Sequence, residues 1–180
     1  MIKKDNRITL YNILLPVWLL FFWPSLLWLF LIPANYLIDR IILKWSLGDL
    51  PEKGLFCRKN TWKICLAGFL GDFFGFLILF AVFMLCGTAN DDSSLGSFLG
   101  ELGYGIGFNP FSHIVSFALV LLSVIIASAA IFLLDGRILR KAGLSADFSS
   151  KCALRLSLLT APYLYFFPSA VIYGSNFFYL

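Results

Sequence analysis

The sequence predicts an all-α, polytopic integral membrane helical bundle: an N-terminal, proline-broken hydrophobic hairpin or single span, followed by three transmembrane helices. Three observations carry this. Of 180 residues, 60% are apolar or aromatic and only 13% charged, whereas soluble chains hold about 45–50% and about 25%. Cutting the chain at its charges leaves four apolar runs, at 8–38, 64–86, 113–134 and 152–173. The last three reach the roughly 20 residues that cross a hydrocarbon core of about 30 Å. Of the fourteen Lys and Arg residues, ten fall in two blocks between the runs, a pattern that sets orientation. Residues 1–180 therefore read as a single membrane domain. The same figures exclude a disordered chain, a disulfide-rich secreted scaffold and a nucleic-acid binder, because the net charge of +4 sits in loops between apolar runs.

The first run holds no charge but contains Pro16, Pro24 and Pro33, and as one helix it would be about 46 Å long. Lys3, Lys4 and Arg7 precede it and Arg40 follows it, so both ends have the basic character of a cytoplasmic flank. A hairpin turning at Trp23-Pro24-Ser25 satisfies that rule. The competing arrangement is a single span from near Pro16 to Ile38, which violates the rule for three charges only. Residues 34–47 continue as a helix leaving the bilayer along its surface, with Trp45 and Trp62 at headgroup level. Residues 48–60, with Gly48, Pro51 and Gly54, read as loop.

The basic segments 39–63 and 135–151 are expected on the cytoplasmic side of a cell membrane. Segment 88–112, which has no Lys or Arg, and the C-terminus are expected outside. Residues Leu37-Ile38-Asp39-Arg40-Ile41-Ile42-Leu43-Lys44 resemble Leu133-Leu134-Asp135-Gly136-Arg137-Ile138-Leu139-Arg140. The likeness is either a weak parallel repeat of two helix pairs or the ordinary appearance of an inner helix end.

The second run holds one acid, Asp72. A carboxylate near a helix centre costs about 2.5–3.5 kcal/mol on insertion scales, so a partner is expected. Arg155, entering the fourth run from the same side, is the candidate for an intramembrane ion pair. Gly68, Gly71 and Gly75 share a helical face with Asp72, and Ser116, Ser123 and Ala127 recur on the third run. These small faces predict close packing of the second and third helices. The outer segment is glycine-rich and carries Asp91, Asp92 and Glu101, reading as a mobile or interfacial acidic loop.

No catalytic residue, metal ligand set or cofactor is expected. The four cysteines form no C-x-x-C pair, and neither a P-loop, an H-E-x-x-H nor a G-x-S-x-G element occurs. Gly103-Tyr104-Gly105 lacks the flanking residues of a potassium-channel selectivity filter. Asp135-Gly136-Arg137 lacks the further acids of the CDP-alcohol phosphotransferase motif. The expectation is a non-enzymatic subunit or scaffold of a larger membrane assembly, with the lipid bilayer and other membrane proteins or further copies of itself as partners. The alternative is a small oligomeric transporter or channel using Asp72 and the acidic outer loop.

Overall fold

The computed structural model describes Trp18, Leu26, residues 28–87 and residues 93–173. Every regular element among them is helical. Helix α1 spans Trp28–Ser46, α2 Lys53–Gly87, α3 Ser94–Phe108, α4 Ile114–Lys141, α5 Ala146–Leu159 and the single turn α6 Ala170–Tyr173, with 3-10 turns at Pro110–Ser112 and Tyr163–Phe166. Two helices, α2 with 35 residues and α4 with 28, are long and apolar enough to cross a membrane. At 1.5 Å per residue they measure about 52 and about 42 Å.

Local chemistry sets the helix ends. The Ser93 hydroxyl accepts from Gly96 N–H at 2.9 Å and His113 Nδ1 from Val115 N–H at 3.2 Å, so each satisfies a donor left over at a helix start. Helix α4 stops where Gly143 takes φ +98°. There Gly143 N–H donates to Arg140 and Leu144 N–H to Leu139, the paired bonds of a Schellman ending.

The most extensive interface joins α2 and α4, which run antiparallel. Small residues make it possible. A Cβ at Gly75 would lie 3.0 Å from the Ser123 carbonyl oxygen and 3.1 Å from Ala127 Cβ, and one at Gly71 would collide with Ile131. Ser123 Oγ donates to the Gly75 carbonyl at 2.8 Å, tying the backbones where they approach most closely. Around this contact lie two apolar clusters. One holds Leu43, Ile64, Leu139 and Leu156 at the basic end; the other holds Trp18, Leu79, Ile106 and Val120 towards the far end.

Several expectations change here. The fourth run, 152–173, is not one helix: α5 ends at Leu159, and its 14 residues measure about 21 Å, short of a hydrocarbon core. Pro162 and Pro168 cannot donate backbone hydrogen bonds, and the chain between them tightens into a 3-10 turn. The expected loop at 48–60 is already helical from Lys53. The expected outer loop is largely α3, despite its glycines. Two of those glycines are close-approach points, Gly103 against Cys86 and Gly105 against Ser116, so α3 packs flat where side chains would hold it away. The proposed turn at residues 23–25 lies outside the described residues.

Candidate functional site

Three aspartates from three helices converge inside the bundle. On α1, Asp39 is buried, and it faces the Cys65 thiol of α2. Two turns further along α2 from Cys65, Asp72 is half-buried, with its Oδ1 buried and without a hydrogen-bond partner among the described residues. On α4, Asp135 is 1% exposed and neither carboxylate oxygen has a hydrogen-bond partner among the described residues. The Asp39 carboxylate lies within electrostatic reach of both other acids.

Helix pairing fixes their relative depth. Gly71 meets Ile131 and Gly75 meets Ala127, so in the antiparallel pair Asp135 stands level with Ala67. Asp72 is five residues beyond that level, about 7 Å deeper from the basic end. It is also nine residues, about 13 Å, beyond Lys63, the last charge before it on α2. Asp39 and Asp135 thus sit towards the basic end, and Asp72 towards the middle of the apolar stretch.

A cavity of about 250 Å³ opens beside Asp39 and Asp72, lined with them by Asn35 of α1, Cys65 and Gly68 of α2, and residues 159–165. The broken fourth run forms its wall. Irregular backbone is tolerated at membrane depth where it lines a cavity, because its polar groups then find partners other than lipid. The Thr160 hydroxyl satisfies the Leu156 carbonyl at 2.9 Å. The buried Tyr165 hydroxyl donates to the Asp72 backbone carbonyl at 2.7 Å, pinning the break against the middle of α2.

The other sequence-predicted positions divide as follows. Among the described residues Arg155 makes no ion pair with Asp72. Its guanidinium lies over the Trp45 ring, 4.9 Å from the centroid, so the expected pair is corrected to a cation–π contact. The long side chain reaches the exposed indole of α1 while keeping its charge out of the bundle. Gly71, Gly75, Ser123 and Ala127 do form the α2–α4 contact. Gly68 does not, since nothing lies within 4 Å of its would-be Cβ; it borders the cavity instead. Ser116 packs on α3 and donates to the Leu102 carbonyl at 3.3 Å. Glu101 is exposed on α3, and Asp91 and Asp92 lie outside the described residues.

Asp39, Asp135, Cys65 and Tyr165 were not singled out as site residues from sequence. Asp39 and Asp135 read as the charged ends of apolar runs. One signal did mark them: they occupy the same place in the two resembling segments, 37–44 and 133–140. Among the described residues no group of three His, Cys, Asp or Glu side chains is arranged to hold a metal ion. No protein-family model, curated protein or solved structure matches the chain.

Proposed function

We propose that the chain is a non-enzymatic, multi-pass membrane protein that carries protons, with Asp72 as the deep site and Asp39 as the site that hands protons to the basic end. The observation that carries this reading is the cavity holding both carboxyl groups beside a broken helix, with no basic residue in its lining. A carboxylate at membrane depth is costly unless neutralised. Among the described residues no cationic side chain pairs with Asp72, which leaves neutralisation to a proton, and one that enters through the cavity can also leave through it. Discontinuous helices around a midplane site are a recurring device of transporters.

Several features support the membrane setting. Only 28% of the most apolar window in either α2 or α4 is buried, whereas the core helix of a soluble protein is mostly buried. Their outward faces are lined by residues such as Leu66, Leu70, Leu122 and Ile125, a surface suited to lipid. The basic residues collect where α2 begins and α4 ends, which favours that end as cytoplasmic.

Ring contacts favour the single-span form of the first run. Trp28 stacks on Phe69, while Trp18 meets Phe76 and Phe83, seven and fourteen residues further along α2. Trp18 thus lies further from the basic end than Trp28, as a single crossing has it. The assembly-subunit reading rested on small-residue faces, and Gly71 and Gly75 are already engaged within the chain.

The test is proton flux into liposomes that hold the purified chain and an enclosed pH-sensitive dye, driven by a potassium diffusion potential. Wild type acidifies the lumen. Asp72→Asn and Asp39→Asn each slow the flux at least about tenfold, which corresponds to about 1.4 kcal/mol, and Glu101→Gln does not. Unchanged flux in Asp72→Asn would overturn the reading, as would a wild-type rate equal to that of empty liposomes.

A further inference from the structure

A second cavity, of about 460 Å³, lies at the basic end, between the start of α2 and the end of α4. Lys59 and Lys63 of α2 and Lys141 of α4 line it, opposed by a single acid, Glu52. Lys59 and Lys63 are one turn apart on the same helix face, an arrangement of like charges that works against the helix. Among the described residues none of the three lysines forms an ion pair, so no such pair offsets their mutual repulsion. An anion seated between them would.

The position of the cavity narrows the choice of anion. Lys63 is the last charge on α2 before the apolar stretch, and Lys141 the last residue of α4, so the cavity opens where the two membrane-length helices leave their apolar spans. Its wall is also apolar. Leu55 is 68% exposed there, and Phe56 and Ile138 lie beside it. Trp62, half exposed and adjacent in sequence to Lys63, marks headgroup depth. Paired lysines around an amphipathic hollow at that depth suit a group that is a phosphate at one end and hydrocarbon at the other. A soluble phosphate would use the lysines and leave the apolar wall idle.

We propose that this cavity binds the phosphate of an anionic phospholipid headgroup, with Lys59, Lys63 and Lys141 as its ligands and Leu55 and Ile138 against the first part of the chains. The site is independent of the aspartate cavity.

Native mass spectrometry of the full chain, delipidated and then offered phosphatidylglycerol or phosphatidylcholine, tests the assignment. Wild type retains phosphatidylglycerol about tenfold better. The triple variant Lys59→Gln, Lys63→Gln, Lys141→Gln loses that preference. A control with equal charge change at the same end, Lys44→Gln, Arg137→Gln, Lys151→Gln, keeps it. Lys63→Gln alone reduces the preference about threefold, and serves if the triple variant fails to fold. Equal retention of the two lipids by wild type, or equal loss in both triple variants, would overturn the site. Capture of inorganic phosphate alone by wild type, lost in the first triple variant, would overturn the lipid assignment in favour of a soluble anion.

Discussion

The Tyr165 hydroxyl donates to the backbone carbonyl of Asp72 at 2.7 Å, across 93 residues of chain. This bond joins the place where the fourth run stops being helical to the place where α2 carries its one deep acid. It gives the cavity a fixed wall: the segment 160–165, beyond the end of α5, is held against α2 by a buried phenol.

Replacing that phenol tests the relationship. Tyr165→Phe keeps the ring and removes one hydrogen bond, so the expected loss is about 0.6–1.5 kcal/mol in a reversible unfolding titration in mixed micelles. Proton flux should change together with stability, because Asp72 loses the wall opposite it. An unaltered stability would show that the ring alone holds the break in place.

The glycine face of α2 has two functions, and alanine separates them. At Gly71 an added methyl meets Ile131 and the α4 backbone, so Gly71→Ala should cost about 1–3 kcal/mol through forced separation of the helices. At Gly68 the space is open, and Gly68→Ala should stay within about 0.5 kcal/mol. Equal costs at the two positions in the same unfolding assay would contradict the packing described for α2 and α4.

Arg155 belongs to Trp45, not to Asp72, and double-mutant cycles can tell these apart. Arg155→Ala and Trp45→Ala should couple by about 0.5–1 kcal/mol, the range of an exposed cation–π contact. Arg155→Ala and Asp72→Asn should instead add to within about 0.3–0.5 kcal/mol, as separate sites do. Strong coupling in the second cycle would restore the ion pair.

Topology is accessible by cysteine labelling, since the four native cysteines are free and buried and can be replaced together. Single cysteines at Ser93 and Asp147, both exposed, should report opposite sides. An impermeant maleimide added to intact cells labels Ser93→Cys and spares Asp147→Cys. A probe at Lys4 should be labelled with Ser93 if the first run crosses once, and spared if it turns back.

Length and periodicity made the two long helices legible. The runs 64–86 and 113–134 lie almost wholly inside α2 and α4, because an apolar stretch of that length has few alternatives to a helix. The packing of α2 on α4 through Gly71, Gly75, Ser123 and Ala127 was legible for the same reason: small residues at helical spacing have one common use between apolar helices. Helix α3 was not. Its glycines argue for a loop locally, and only contacts with Cys86 and Ser116, remote in sequence from Gly103 and Gly105 respectively, give them a packing role.

The sequence by itself determined that this chain is helical, that two of its helices have the length and apolarity of membrane spans, and that Asp72 is the acid needing an explanation. These follow from composition and spacing, which act locally and survive without knowledge of neighbours. Tertiary structure alone decided which acids meet. Asp39 and Asp135 look like helix ends in the sequence, and they become buried because α1 and α4 both pack against α2 at the same depth. It also decided that Arg155 turns to Trp45 and not to Asp72. The interaction of a buried charge depends on what lies within a few ångströms, and residues a hundred positions apart supply that neighbourhood.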